Sequence, residues 1–198
     1  MLYILAHFLR DKMPFLWNLI DYVNSFLFTL RYGKVLKTVE WHLIRFKEQR
    51  GYKVLPINMV NACVLEHFFS SQPEESYLYF KPHAFDAKTI KKLQQNKAFL
   101  AYVLVDTSNG FIAGYCFIRS FFHGKGFRGR MVGIDYRGMG LGTMMNRLLN
   151  EIGFGVGLRL FETVNKRNVA SYKSALSASN VKVIEEMENG DLYMEILP

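Results

Sequence analysis

A glycine-rich segment at a predicted strand-to-helix turn is the part of this sequence best suited to chemistry. Gly138, Gly140 and Gly142 alternate with other residues there, after an apolar run that ends at Ile134. Glycine lets the backbone approach a ligand closely, and the first turn of a helix has N–H groups without a backbone acceptor. Because the helix dipole adds positive charge at these donors, we expect the segment to bind a pyrophosphate. The helix is predicted from apolar residues at helical spacing, namely Leu141, Met144, Met145, Leu148, Leu149 and Ile152.

Two common phosphate-binding patterns do not account for this segment. The spacing of the three glycines differs from the dinucleotide fingerprint G-x-G-x-x-G. A P-loop needs a lysine between its last glycine and the Ser or Thr, and Gly142 is followed directly by Thr143. A tight turn that binds no ligand is the remaining alternative.

The arginine that precedes the glycines makes the pattern more specific. Arg137-x-x-Gly140-x-Gly142 after a short apolar strand resembles motif A of the GNAT superfamily of acyl-coenzyme A N-acetyltransferases. Tyr136-Arg137-Gly138 also resembles a tripeptide that this family often has before the helix. We therefore treat the segment as a candidate binding site for acetyl-CoA.

The resemblance extends over residues 51–198. Asn168-x-x-Ser171 is similar to the Asn-x-x-Ala/Ser of the family's motif B. GNAT proteins have an α+β fold, so the resemblance implies a mixed, mainly antiparallel sheet that is flanked by helices. Residues 1–50 are then an N-terminal amphipathic helical extension, and residues 51–198 are the acetyltransferase domain.

Periodicity and turn residues predict the order of elements in this domain as β-α-α-β-β-β-α-β-α-β-β. The strands are expected at residues 52–57, 99–105, 111–120, 127–134, 158–164, 181–186 and 192–196. The helices are expected at residues 58–69, 87–95, 139–152 and 168–177.

The resemblance also implies where the acyl-CoA binds. In GNAT proteins two central strands part, and the pantetheine lies between them. Carried over onto this sequence, the cofactor-binding residues are Met131, Val132, Arg137, Gly138, Met139, Gly140, Leu141, Gly142, Thr143 and Asn168. The expected co-substrate is acetyl-CoA, and no metal is expected.

The expected reaction is attack of a neutral primary amine on the thioester. An alkylammonium loses its proton at neutral pH at a cost of roughly 4 kcal/mol, so a base is useful. Glu162, at the end of a predicted strand, is the first candidate, and His83 is the second. A solvated or salt-bridged glutamate and a structural turn histidine are the alternatives.

The acid that protonates the leaving thiolate is less well defined. Many GNAT proteins have a tyrosine seven residues after the motif-B asparagine, and this chain has Ala175 there. Tyr172 lies one helical turn from Asn168 and is the candidate instead. A packing role for this tyrosine is the alternative.

The acceptor pocket is expected from residues 68–85 and 121–129. The second segment and its neighbour combine aromatic and cationic side chains, which are Phe121, Phe122, His123, Lys125, Phe127, Arg128 and Arg130. An amino sugar or another small amine is the preferred acceptor. The alternative functions are a non-catalytic acyl-CoA-binding regulatory module and a membrane or protein-interaction domain that uses residues 1–50.

The composition limits the partners and the compartment. The net charge of +8 favours anionic ligands, but no run of clustered basic residues indicates nucleic acid, so none is expected as a partner. Cys63 and Cys116 lie far apart without metal-ligand spacing, which favours a reducing compartment. We therefore expect a cytoplasmic protein, with peripheral contact to the inner face of the membrane as a further hypothesis.

That hypothesis comes from residues 1–50. Residues 1–9 are too few to span a bilayer and have no positive region before them, so they predict neither a span nor a signal peptide. A helical stripe is formed by Leu16, Leu19, Ile20, Val23, Leu27 and Leu30, and a second run by Val35, Val39, Leu43 and Phe46. Such helices pack on the domain or on a second subunit. With Arg31, Lys34 and Lys37 nearby, they also suit an anionic membrane surface.

Overall fold

The fold is seen in a computed structural model, which describes residues 14–45 and 51–198. Residues 1–9 and Phe46, which entered the N-terminal predictions, lie outside the described residues, as does the side chain of Leu43.

Seven strands form one sheet in the order β1-β2-β3-β4-β5-β7-β6. Five neighbouring pairs are antiparallel, and β4 with β5 is the parallel pair. The predicted fold class, a mixed and mainly antiparallel sheet flanked by helices, is confirmed. The strands are β1 Tyr52–Pro56, β2 Phe99–Asp106, β3 Ile112–Ser120, β4 Lys125–Val132, β5 Arg159–Asn165, β6 Asn180–Glu186 and β7 Asp191–Leu197.

The helices follow the predicted order in residues 51–198. They are α1 Pro14–Arg45, α2 Ala62–Ser70, α3 Ala87–Gln95, α4 Leu141–Val156 and α5 Val169–Ala178. Short 3₁₀ turns occupy Ile57–Met59, Glu74–Tyr77 and Ile134–Tyr136.

Two predicted helix boundaries were wrong for local reasons. The helix expected from residue 58 begins at Ala62, because Asn61 caps it by accepting a hydrogen bond from the Cys63 N–H at 2.8 Å. The helix expected to end at residue 152 continues until Gly157, whose φ of 90° suits a helix C-terminus.

The sheet is covered on both faces, as the alternation of side chains along β2 shows. Leu100 and Tyr102 of β2 pack with Met145 of α4 in one apolar cluster. Phe99 and Ala101 point the other way and pack with α2 and α3. Helices α1, α4 and α5 therefore lie on one face of the sheet, and α2 and α3 lie on the other.

Helix α1 is one continuous helix, and it is fastened to the domain by buried rings and polar contacts. Phe28 and Tyr32 are buried against the α4 side of the sheet. Asn24 donates to the Ser120 carbonyl at 2.9 Å and accepts from the Phe122 N–H at 3.0 Å. The predicted apolar stripe does not make this contact, because most of its members are exposed.

Candidate cofactor and active site

The parallel strands β4 and β5 part after a short ladder. They pair over residues 125–127 and 159–161, and no ladder pair joins the described residues of the two strands beyond Phe127 and Phe161. From there β4 continues beside β3 to Val132, while β5 continues beside β7 to Asn165. The two facing edges, residues 128–132 and 162–165, bound what we call the interstrand gap. Their backbone groups are free to bind a ligand with amides of its own.

A buried ionic cluster lies where the strands part. The Arg128 Nε donates to Glu162 Oε2 at 2.7 Å, and an Arg130 guanidinium nitrogen lies 3.3 Å from the same oxygen. Arg128 also donates to Asn150 of α4, and Arg130 donates to the Ser171 carbonyl of α5 at 2.8 Å. Through these contacts the cluster connects β4 and β5, where they diverge, to helices α4 and α5.

The loop that follows β4 has the geometry expected of a phosphate site. Gly138 and Gly140 have φ of 79° and 77°, values that side-chain-bearing residues rarely adopt. Helix α4 begins at Leu141, and the residue before it, Gly140, offers no side-chain cap. The first amides of the helix are thus available to a ligand. We call residues 137–143 the glycine loop.

The space around this loop fits a diphosphate. A Cβ added at Gly138 would meet no atom within 4 Å, so the loop surface is open at that point. At Gly142 the same Cβ would lie 3.0 Å from the Ser174 Oγ, so the helix start is packed against α5. The residues present can hold a diphosphate on an open glycine loop that rests on a packed helix.

Two contacts that the sequence did not reveal support the loop from the α2 side. The Gln72 side chain accepts a hydrogen bond from the Ile134 N–H at 2.9 Å. Arg137 donates to the Ser76 hydroxyl at 2.6 Å. Nothing in the sequence pattern marked Gln72 or Ser76, because both lie more than sixty residues from their partners.

Glu162, the first candidate base, is buried in the ionic cluster on the α4 and α5 side of the sheet. Both guanidinium groups point at its Oε2. Its Oε1 has no hydrogen-bond partner among the described residues. The contacts favour a role in positioning the strands, and the catalytic role stays a prediction.

His83, the second candidate base, lies on the opposite face among the rings of Phe69, Phe85 and Phe99. Its Nδ1 is 2.8 Å from the Ala84 carbonyl, and its Nε2 is 2.9 Å from the Tyr115 hydroxyl. A carbonyl can only accept, so Nδ1 carries the hydrogen and Nε2 accepts from Tyr115.

The surroundings of His83 limit what it can do. Burial lowers the pKa of His83 to about 4. That value is roughly 6 units below an alkylammonium, so direct proton transfer to this imidazole would cost about 8 kcal/mol. The hydrogen-bonded pair with Tyr115, which is the cross-strand neighbour of Met131, is better suited to orientation.

His83 is also part of the wall of a cavity of about 520 Å³ between α1 and α3. Asp21 of α1 and Arg119 of β3 line the same cavity and lie 3.7 Å apart. A volume of this size can hold a small molecule.

The two candidate residues of the α5 region have structural roles. The Asn168 side chain caps α5 by accepting from the Ser171 N–H at 3.2 Å. Tyr172 packs on a small apolar cluster that contains Val164 and Met194. Ala175 is fully buried in the same cluster, so the position that carries a tyrosine in many GNAT proteins faces the core here.

The predicted acceptor segments contribute an aromatic surface beside the short ladder. Phe127, Phe161 and Tyr193 have ring centroids 5.6 to 6.3 Å apart, and Lys125 and Arg159 lie over the Phe161 ring. We call these three rings the aromatic platform. Phe161 and Tyr193 were not foreseen, since sheet pairing brings them there.

Arg128 and Arg130 were expected among the acceptor-side cations, and this was wrong. Side chains alternate along β4, so these two point to the face opposite Phe127, where they pair with Glu162.

Within the described residues, no group of three or more His, Cys, Asp or Glu is arranged to hold a metal ion. None of the described helices is long and apolar enough to cross a membrane.

The comparisons with known proteins rest on structure. No family model and no curated protein sequence matches this chain. The GNAT domain of S. lividans PAT superposes with a TM-score of 0.63 at 16% identity, covering 73% of this chain and 89% of that one.

Two further solved structures agree. The putative acetyltransferase yncA from Salmonella typhimurium, solved with acetyl-CoA, has a TM-score of 0.60 at 16% identity and covers 75% of this chain and 94% of its own. A chimera of the spermidine N-acetyltransferase SpeG from Vibrio cholerae and hSSAT has a TM-score of 0.57 at 17% identity, with 74% and 95% coverage. Together with the parted strands and the glycine loop, these similarities establish that the chain has the fold of the GNAT acetyltransferases.

Proposed function

We propose that this protein is a cytoplasmic N-acetyltransferase that moves an acetyl group from acetyl-CoA to a primary amine. The observation that carries the proposal is the interstrand gap, whose β4 edge leads through residues 133–136 into the glycine loop. A cofactor with a diphosphate at one end and amide groups along a narrow arm matches both features. A reducing compartment is supported by Cys63 and Cys116, which are free thiols.

Each part of the site has a separate task in this proposal. The amides of residues 138–143 bind the diphosphate, and Arg137 adds positive charge beside it. The free edge of β4 at Met131 and Val132 aligns the thioester, and Asn168 fixes the start of α5 near the gap. Acetyl-CoA, when bound, supplies an activated acyl group with a good leaving group.

The acceptor side is proposed to be the aromatic platform. Its rings offer apolar faces, while Lys125 favours an anionic group on the same molecule; Arg159 is already paired with Glu195. An amino sugar or another small amine remains our preferred acceptor, and an amino sugar that carries a phosphate combines both properties. The SpeG chimera is named as a spermidine N-acetyltransferase, so this fold also accommodates a small amine without a sugar.

His83 is the proton-handling candidate that lies on the acceptor face. Glu162 projects toward α4 and α5, and Tyr172 of α5 packs on the cluster of Val164 and Met194. We retain both as predictions that turnover measurements must decide. Because His83 is neutral and bonded to Tyr115, we expect it to orient the acceptor or a water molecule.

A second candidate function is a regulatory module that binds acyl-CoA without turnover. The buried Ala175 favours it, because this chain has no tyrosine at the position of the family's usual acid. The two functions share the cofactor site and differ in whether thiol is released.

The test is calorimetric titration with acetyl-CoA of the wild type, Gly138→Asp and Gly157→Asp. Both glycines have positive φ, 79° and 90°, with open space around a Cβ, so the two variants match in kind of backbone strain and in added charge. Gly157 lies at the C-terminus of α4, and the glycine loop lies at the N-terminus of the same helix. We expect Gly138→Asp to weaken binding at least about tenfold, because a carboxylate would repel the diphosphate.

Three outcomes decide the proposal. Equal binding by both variants would move the cofactor away from the loop. Absence of binding by folded wild type would overturn the acyltransferase function. Binding without thiol release across a panel of amines, amino sugars included, would favour the regulatory module.

A further inference from the structure

Helix α1 carries a second face that its contacts with the domain do not use. Phe15, Leu19, Val23, Phe26 and Leu30 recur at intervals of three or four residues, so they share one side of the helix. Each is between 45% and 80% exposed. We call these five residues the outer face. Its length is about 22 Å at the rise of an α-helix.

The inner side of α1 is fastened by the polar and aromatic groups described above. Asn24, Phe28 and Tyr32 make that contact, and they lie opposite the outer face on the helical wheel. Within residues 14–45 and 51–198, the domain therefore contacts α1 on the side away from the outer face. Contiguous exposed apolar surface of this kind marks an interaction site in most proteins.

The acidic side chains of α1 face the domain, and two of its lysines lie on the side of the outer face. Asp21 and Glu40, the two carboxylates of the described helix, point inward, where Asp21 pairs with Arg119 and Glu40 accepts from the Tyr102 hydroxyl at 2.5 Å. Lys34 and Lys37 are exposed. Their spacing from Leu30 places them on the same side as the outer face, one to two turns further along.

This arrangement favours a lipid surface over a second copy of the chain. A stripe of Phe and Leu followed by exposed lysines is the pattern of helices that lie in an anionic interface. Each lysine near such a surface contributes about 1 kcal/mol of attraction. A second copy would bring a chain of net charge +8 against another of the same charge.

We propose that the outer face of α1 docks the protein on a bilayer that contains anionic phospholipids, with the helix axis parallel to the membrane plane. The helix lies on the bilayer and does not cross it, in keeping with the absence of a spanning helix among the described residues. Since Asn24 and Arg31 bond to the hairpin at Ser120 and Phe122, the β3–β4 hairpin lies on the side of α1 that faces away from the lipid in this orientation.

The test is vesicle flotation of the full-length protein with phosphatidylcholine alone and with added phosphatidylglycerol. Val23→Asp and Val35→Asp form a matched pair, because both valines are 45% exposed on the same helix but Val35 is off the outer face. Lys34→Glu with Lys37→Glu reverses the local charge. Circular dichroism and acetyl-CoA titration verify that each variant is folded.

We expect binding that requires phosphatidylglycerol and decreases with salt. Val23→Asp should weaken it by about tenfold or more, as should the double lysine reversal, while Val35→Asp stays within about twofold of the wild type. Equal binding to neutral vesicles, equal effects of both aspartates, or no binding would overturn the proposal. A dimer in light scattering that Val23→Asp alone dissociates, without vesicle binding, would assign the face to a second copy.

Discussion

Arg128 and Glu162 are the first residues of β4 and β5 beyond the last ladder pair, and their side chains form a buried ion pair of 2.7 Å. The ion pair therefore spans the strands at the point where their backbones stop pairing. Beyond the last ladder pair, this side-chain contact joins the two strands in place of backbone hydrogen bonds. It fixes the distance between the strands at the point where they begin to diverge. The position of the interstrand gap depends on this relationship.

Glu162→Gln should destabilise the fold, because it leaves two buried guanidinium groups without their carboxylate. Breaking a buried ion pair in this way costs about 3 to 5 kcal/mol. Glu195→Gln, which breaks the more exposed Arg159 pair between β5 and β7, should cost about 1 kcal/mol or less. Urea unfolding of both variants gives the comparison.

Turnover of folded Glu162→Gln separates its two possible roles. A positioning residue would change the KM for acetyl-CoA together with stability. Loss of kcat with unchanged stability and unchanged KM would instead restore Glu162 as the base.

His83 should make the protein less stable in mild acid. Its folded pKa of about 4 lies below the ordinary 6.5, so the unfolded chain binds the proton more readily and stability falls as pH drops between these values. The loss between about pH 8 and about pH 5 amounts to roughly 2 kcal/mol. Across this range the unfolding free energy of the wild type should therefore fall by that amount more than the unfolding free energy of His83→Gln. His123→Gln, on the exposed hairpin, should keep the pH dependence of the wild type.

Asn168→Ala should affect both the fold and the cofactor. Loss of a helix N-cap costs about 1 kcal/mol, and Asp86→Ala, which removes the cap of α3, provides the matched loss far from the gap. If Asn168 also contacts the acyl-CoA, its variant alone raises the KM for acetyl-CoA. Equal KM values in the two variants would leave Asn168 a purely structural cap.

Ala175→Tyr should not create the acid that many GNAT proteins have. Ala175 is fully buried against Val164 and Met194, so a tyrosine ring must displace the core, at a cost of about 1 to 3 kcal/mol or more. Leu176→Tyr, at the exposed neighbouring position, should change stability by less than about 0.5 kcal/mol. A stable Ala175→Tyr protein with faster turnover would contradict this.

Local patterns were enough for the element order and for the glycine loop. Gly138, Gly140 and Gly142 needed no distant partner to predict a turn that opens a helix, because positive φ and free helix amides are properties of the segment itself. The mixed, mainly antiparallel sheet came from the resemblance and not from these patterns, since pairing is a contact between residues far apart in the chain.

Tertiary contacts decided the chemistry of individual side chains. The sequence contained Glu162, His83 and Arg128, but it could not place the carboxylate between two arginines or the imidazole against Tyr115, thirty-two residues away. The sequence also did not determine which side of α1 packs on the domain. Its apolar stripe suggested a packing face, yet the domain is held through Asn24, Phe28 and Tyr32. Periodicity shows which residues share one side of a helix, but only the tertiary structure determines which side packs against the rest of the fold.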